Sequence, residues 1–367
     1  MTTKTSANEN PSRRNFIKNG LALSVGATVS GINHKAIVEQ MEIEVSNGNS
    51  QKLKALFDLK YPIFQAAPGG EELCIAVTNA GAMGAIQLSW SSPEESFDMV
   101  KRIKAATKGS FYANYILHFE PKSLDNALEA GVPVVEFSFG IPNKTVVSKI
   151  RSAKAKFGIQ VGSMDGAKAA LDMGVDFLIC QGIEAGGHVQ AGSTLTNALQ
   201  EVLKVAKTTP VLASGGIATG FDIRKVINTG AAGAVLGTRF LATKESEYHN
   251  DYKNALVQAK ENSTVFTNCF NKEWDALHRV LKNKTYERWQ AAGCPTHGSK
   301  PGESDIVATG PDDFKIERYM TTPPLKYFKG SITDLAMYAG QGVHKVNNIP
   351  AVHELIQQLW REYEGKE

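Results

Sequence analysis

From about residue 60 onward the chain alternates between two patterns. Short, mostly apolar runs such as "PIFQA" and "VDFLICQ" are separated by longer stretches with apolar residues at helical spacing, such as "SPEESFDMVKRIKAATKG" and "TNALQEVLKVAKT". A strand covered on both faces needs the first pattern, and a crossover helix packed on a sheet needs the second. The runs predict eight strands, over residues 62–66, 84–88, 111–117, 132–138, 158–162, 175–181, 210–215 and 233–237. Eight βα units within about 180 residues predict an α/β fold, a (β/α)8 TIM barrel, although a doubly wound open sheet has similar local patterns.

Beyond "GTRFLATKES" the periodicity lapses. Residues 262–345 are rich in Pro, Gly and polar residues, with helical spacing near 272–292 and little signal over 293–330, before a terminal helix in "IPAVHELIQQLWREYEG". This predicts three parts: a leader and linker over 1–45, the barrel over 46–261, and over 262–367 a smaller lid subdomain with a C-terminal helix closing on the barrel mouth.

Composition narrows the partners. The net charge is +3, with Lys and Arg scattered among Asp and Glu rather than gathered in a basic tract, so nucleic acid is not expected. No apolar run reaches the roughly 18–20 residues of a stable membrane span. Cys74, Cys180, Cys269 and Cys294 are far apart, the eight histidines are dispersed, and no metal site is expected. Cys180 fits a small buried residue, and Cys269 and Cys294 would pair only in an exported protein. "SRRNFIK", Ser12 to Lys18, followed by the mildly apolar "GLALSVGATVSG", resembles a twin-arginine export signal and predicts a periplasmic protein. The alternative is a plain N-terminal tail on a cytoplasmic one.

The glycines point to chemistry. "AGG" (185–187) follows the sixth predicted strand, "SGGIATG" (214–220) the seventh and "GTRF" (237–240) the eighth. In such barrels ligands gather at the C-terminal strand ends, and phosphates sit after strands 7 and 8. Glycine backbone can turn its N–H groups inward as a nest, and a following helix adds its positive N-terminal end. One pair would mark only a tight turn; three clusters at successive strand ends predict a ligand phosphate.

"PIFQAAPGG", "CQGIEAGGH", "PVLASGGIATG", "GAAGAVLGTRFLATKES" and "YAGQGV", in this order, resemble the successive signatures of the nitronate monooxygenase family, formerly the 2-nitropropane dioxygenases. The resemblance implies a TIM barrel holding FMN non-covalently and oxidising a small-molecule substrate, a nitronate, with O2 to a carbonyl compound and nitrite. It also extends to FMN-dependent enoyl-ACP reductases and NADH:quinone reductases. By the same resemblance Gly186, Gly187, Ser214, Gly215, Gly216, Gly237 and Thr238 hold the FMN phosphate, and Ala66, Ala67 and Pro68 turn beside the flavin ring. Asn114 hydrogen-bonds that ring with Gln181 as its neighbour, and Gly340 and Gln341 close a C-terminal loop beside it. His188 matches a histidine implicated in the reductases' reaction; the alternative is a structural histidine tied to a carboxylate such as Glu184. Twin-arginine export carries folded proteins, which suits an enzyme that loads its cofactor first.

One position departs from the family. Where many members read "VSFHFG", with the histidine as catalytic base, this chain reads "VEFSFG". Strand alternation puts Glu136 and Ser138 on the interior face and Phe137 and Phe139 on the helix face. A buried carboxylate must be paired, hydrogen-bonded or protonated, so Glu136 is either functional or locked in an ion pair. Serine cannot take a carbon-bound proton as histidine can. The expectation is activity confined to preformed nitronates, with Glu136 roughly 6–7 Å deeper and beyond direct reach. The rival readings are an NAD(P)H-dependent quinone or enoyl-thioester reductase, and a flavin-binding protein without turnover.

The leader makes its own prediction. A reporter fused behind residues 1–45 should reach the periplasm, and changing Arg13 and Arg14 to lysine should retain it in the cytoplasm. Unchanged export of the variant would reduce the segment to a plain tail.

Overall fold

The computed structural model describes residues 48–366, so the segment read as an export signal lies outside the described residues. Eight parallel strands form the barrel: β1 Ile63–Gln65, β2 Gly84–Gln87, β3 Phe111–Ile116, β4 Val134–Ser138, β5 Lys156–Val161, β6 Phe177–Gln181, β7 Val211–Ser214 and β8 Gly233–Leu236. They run in the order β1-β8-β7-β6-β5-β4-β3-β2, and a parallel bridge between Phe64 and Met83 closes the ring. This is the predicted TIM barrel.

The closing seam is thin, and one side chain completes it. Fully buried Gln65 donates from Nε2 to the Ala85 carbonyl (3.1 Å) and accepts the Ala85 N–H on Oε1 (3.2 Å). A side-chain amide thus replaces the peptide group that the ladder lacks there and pairs both the N–H and the carbonyl of Ala85.

The period of two sorts the two faces. Phe64, Tyr112, Val134, Phe177 and Leu212 fill the barrel, while their alternates Ile63, Ala113, Val135, Leu178 and Ala213 meet the helices. Phe57, from a helix described over residues 48–57, plugs the N-terminal end edge-on to Phe64 and Phe177, at 5.8 and 5.4 Å. Phe177 takes so much of the interior that β5 carries Gly158 opposite it: a Cβ there would lie 2.3 Å from the ring.

Seven helices follow the first seven strands: α1 Glu71–Asn79, α2 Pro93–Ala106, α3 Leu124–Glu129, α4 Lys144–Ser152, α5 Met164–Asp172, α6 Leu195–Ala206 and α7 Gly220–Asn228. The start of α2 shows why they begin where they do. Ser92 and Glu95 form a reciprocal capping box with Pro93 at the first helical position. After β8 come the short α8 (Thr238–Leu241) and α9 (Asn250–Gln258), and then a long excursion. The predicted terminal helix, Val352–Glu364, packs against both α7 and α1 and so takes the eighth helical place. The irregular segment is therefore an insertion between the last strand and its helix.

The insertion differs from the prediction. Helical spacing over 272–292 yields a helix only at α10, Lys284–Ala291, whose N-cap Asn283 accepts the Tyr286 N–H (3.0 Å). Residues His278–Leu281 are instead a strand, β10, because antiparallel partners wait on both sides: β9 (Thr264–Thr267) and the two-residue strand Gly187–His188 in the β6–α6 loop. The signal-poor stretch holds a small sheet of β11 Ile306–Thr309, β12 Lys315–Glu317 and β13 Lys329–Gly330. Cys74, Cys180 and Cys269 are buried and Cys294 is exposed; all four are free thiols, so Cys269 and Cys294 are not bridged. Among the described residues no helix is long and apolar enough to cross a membrane.

The barrel packing predicts coupling between two strands. Gly158→Ala should destabilise by about 1–3 kcal/mol through overpacking, and Phe177→Leu should partly relieve it. Denaturant unfolding of both single variants and the double variant checks this; simple additivity would show that Phe177 does not set the glycine.

Candidate active site

A cavity of about 1270 Å³ opens at the C-terminal ends of the barrel strands. Ordinary small-ligand pockets span roughly 300–1000 Å³, so this one has room for a cofactor and a substrate together. Every predicted site residue lines it except Gln341.

The cradle lies on the β6, β7 and β8 side. Gly186, Gly187, Ser214, Gly215, Gly216, Gly237 and Thr238 converge there with Gly340. Their loops touch backbone to backbone: a Cβ on Gly186 would stand 2.5 Å from the Gly340 nitrogen, and one on Gly342 would stand 2.3 Å from the Gly216 oxygen. The Gly340 N–H donates to Thr238 Oγ1 (2.9 Å), so that hydroxyl holds the loop. Among the described residues none accepts the N–H of Gly216, Gly237 or Thr238. Free N–H groups at a helix start form an anion receptor without a lysine. The residues present fit a flavin phosphate.

The polar floor comes from β3 and β4. Asn114 and Glu136 are register partners on adjacent strands, as are Ile116 and Ser138, and all four line the cavity. Asn114 Nδ2 donates to Glu136 Oε2 and lies 3.3 Å from Ser138 Oγ. Among the described residues Glu136 has no ion-pair partner, and its other oxygen, Oε1, is buried without a hydrogen-bond partner. The carboxylate is therefore not locked in an ion pair among the described residues. Burial pushes its pKa from an ordinary 4.5 up to about 7, with Asn114's hydrogen bond and the Gln160 backbone amide pulling the other way. One amide nitrogen thus touches both side chains although the two residues lie two positions apart on the strand.

His188 forms the facing wall. Its ring stacks on Trp274 at 4.2 Å and meets His278 at 5.5 Å and Tyr338 at 5.4 Å. Burial, with His278 beside it, lowers its pKa to about 3, and its Nε2 is buried without a partner. His278 is itself neutral, accepting the Phe270 N–H on Nε2 and donating from Nδ1 to the Ala276 carbonyl. Gln181 lines the cavity but turns its amide to the loop, donating to the His188 carbonyl (3.3 Å) and accepting the Gln190 N–H (2.9 Å). Ala66, Ala67 and Pro68 lie at the β1 end, where the Ala66 N–H donates to the Leu236 carbonyl.

Three expectations are corrected. Glu184 is not the partner of His188: its Oε2 accepts the Leu195 N–H (2.8 Å) at the start of α6, and it lines a separate cavity of about 380 Å³. Gln341 lines that second cavity too, because its N–H donates to the Glu184 carbonyl and turns the residue away from the barrel. Phe137 packs under the helices as expected, but Phe139 does not. Beyond the strand end its φ is +56°, and its ring swings into the cavity 4.8 Å from Trp274. Sequence reasoning missed Trp274, Tyr338, Gln190 and Gly342. Only Gly342 had a signal, inside "YAGQGV".

The nitronate monooxygenase family model matches residues 120–362, well over half of the chain. A Staphylococcus aureus (strain JH9) protein described as a probable nitronate monooxygenase is 27% identical over 287 residues, covering 65% of this chain and 80% of that one. The solved nitroalkane oxidase from Streptomyces ansochromogenes superposes with a TM-score of 0.70 at 25% identity, over 86% of this chain and 98% of its own. FabK from Thermotoga maritima has the same TM-score at 24% identity, over 85% and 96%, and speaks for the fold alone. Barrel, cradle and relatives make this chain an enzyme, a flavin-dependent oxidoreductase. It belongs to the nitronate monooxygenase family.

Glu136 has a thermodynamic signature. Because folding raises its pKa, between about pH 4.5 and 7 the native state keeps a proton that the unfolded chain has released. Stability should therefore decline as pH rises through that window. Glu136→Gln should melt like the wild type at pH 5 and be more stable at pH 8, by on the order of 2–3 kcal/mol. Thermal melts of both proteins at the two pH values check this, and parallel behaviour would contradict a buried, unpaired carboxylate.

Proposed function

We propose that the protein binds FMN and oxidises nitronates with O2 to a carbonyl compound and nitrite. The observation that carries this reading is one cavity holding both a backbone anion cradle and two unpartnered buried polar atoms, Glu136 Oε1 and His188 Nε2. The cradle suits one terminal phosphate, as FMN has. When bound, the flavin supplies the electron transfer between the substrate and O2.

The chain's own residues do the rest. The N–H groups of Gly216, Gly237 and Thr238 would hold the phosphate, with Gly340 locking the loop beside it. His188 is neutral throughout the physiological range, so it acts as a hydrogen-bonding partner for the nitro oxygens through Nε2 and not as a titrating acid. Trp274 and Phe139 shield that contact from water.

The purified protein should be yellow and release FMN on denaturation. Preformed ethyl nitronate should bleach it anaerobically and yield nitrite when O2 is admitted. Gly216→Val, at a backbone φ of +70°, should give folded but colourless protein. Recovery of FAD, or bleaching by NADH or NADPH with none by nitronate, would overturn the reading.

A further inference from the structure

The charged groups of the cavity are of one sign. Among the described residues lining it, the acidic side chains are Glu71, Glu95, Glu136, Glu247 and Glu273, and none is Lys or Arg. Glu71 is spoken for by Arg102 (2.7 Å), Glu95 by the α2 capping box, and Glu273 by the Thr321 N–H (2.6 Å). Burial raises the pKa of Glu247 while Lys326 pulls it down. The backbone cradle is thus the only provision for an anion, and the cofactor phosphate takes it. A substrate arriving as an anion would leave water for a cavity that returns no compensating charge.

The mouth is apolar and wide. Trp90, Met99, Phe119, Phe314, Met320 and Tyr327 line it from the β2 and β3 ends and from the insertion. Trp90, Phe314 and Tyr327 are 62%, 48% and 47% exposed. Large apolar groups from separate segments, left in water around one opening, mark a ligand surface.

We propose that the substrate enters as a neutral, bulky, apolar nitro compound and that Glu136 removes its α-proton inside the cavity, in place of the family's histidine. The inference rests on the nitronate reading above. The C–H bond breaks, its electron pair delocalises into the nitro group to give the nitronate, and the proton passes to Glu136 Oε1, the oxygen with no other partner. Asn114 fixes Oε2 and so aims the carboxylate. Ser138, in contact with the same Asn114 nitrogen, marks how close the carboxylate stands to the usual position of the base.

The surroundings hold Glu136 near the balance between its two forms, and it is the ionised form that takes the proton. Tyr112 and Asn114 on β3 and Gln160 on β5 are uncharged; the Tyr112 hydroxyl donates to the Gln65 carbonyl, and burial raises its pKa further. His188 is neutral, and the rim glutamates share the sign of Glu136 and favour its protonation. An acceptor titrating near neutrality combines adequate basicity with adequate population of the basic form.

The test uses the flavin-loaded protein with nitroethane and 1-nitrooctane, each as the neutral compound and as the preformed nitronate. Wild type should prefer neutral 1-nitrooctane over neutral nitroethane by at least about tenfold in kcat/KM, the direction expected for added methylenes in an apolar pocket. Glu136→Gln should lower the ratio of neutral-substrate to nitronate rate by about 10²- to 10⁴-fold and remove the rise in that ratio as pH passes 7. Glu136→Asp, which retracts the carboxylate by one methylene, should fall between. An unchanged ratio in Glu136→Gln, or preference for nitroethane, would overturn the proposal while leaving nitronate oxidation intact. Should neither form be turned over, the nitronate reading fails and the base assignment falls with it. Substrate class is then decided by binding, read from tryptophan fluorescence: neutral 1-nitrooctane should bind more tightly than anionic nonanoate, and the reverse order would overturn that part too.

Discussion

A methyl group placed on Gly342 would overlap the carbonyl of Gly216, and much of the site depends on that near-contact of two backbones. The loop after β7 can be a cradle only if its carbonyls turn outward and its N–H groups remain free, and something must then pack against the carbonyl side. The "YAGQGV" loop does so, bound through Gly340 to Thr238 and through Gln341 to Glu184. Side chains at Gly186 or Gly342 would push the loops apart and open the cradle to water, where each N–H would find a solvent partner and lose its value to an anion. The same contact fastens the far end of the insertion to the barrel, so that the cavity wall and the cofactor cradle are built by one packing event.

The electrostatics follow from depth. The floor of a TIM barrel is walled by neighbouring strands, with no solvent path to a side chain at the level of Glu136 except through the cavity. A carboxylate there, met only by neutral donors and by no cation among the described residues, cannot be ionised cheaply. His188 obeys the same rule with the opposite sign, since burial against Trp274 and a neutral His278 discourages its cationic form. Both groups are pushed toward neutrality, and the interior that results suits uncharged ligands beyond the phosphate.

The barrel was legible because its signal is local. Each strand is a short, mostly apolar run and each helix amphipathic, so the pattern identifies the element without knowledge of its partners. The glycine cradle was legible because its clusters fall at strand ends. The insertion was not, because β10 exists through partners far off in sequence: β9 on one side and Gly187–His188 on the other. A stretch such as "LHRVLKNKTYERWQ" carries helical spacing throughout, and only the tertiary ladder decides that its first part is extended. Phe139 was misplaced for a related reason. Alternation is a property of strands, and the rule ends where φ turns positive. Glu184 and Gln341 sit beside residues that do face the cavity, but a single backbone hydrogen bond between them turns both the other way. Trp274 stands in a loop with no periodicity, where nothing local distinguishes it from a surface tryptophan.

A division of labour separates the residues that fit a cofactor from those that shape the rest of the cavity. The cradle belongs to β6, β7, β8 and one loop, whose close backbone contacts tolerate little variation in side-chain volume. The mouth and the wall over His188 belong largely to the insertion, which contributes Trp274, Phe314 and Tyr327 from segments held by short strands and a small core of their own. Substitution there alters the shape and polarity presented to a substrate without disturbing a single cradle N–H. The base position lies between the two, on β4, where only the interior alternates can be exchanged without disturbing the helix layer. Replacing the family's histidine by Ser138 while placing a carboxylate two residues earlier, on the same face, keeps Val135 and Phe137 packed as before. The strand thus carries an ionisable group on its inner face without disturbing the helix layer, and what it costs is the ionisation of a buried carboxylate as pH rises.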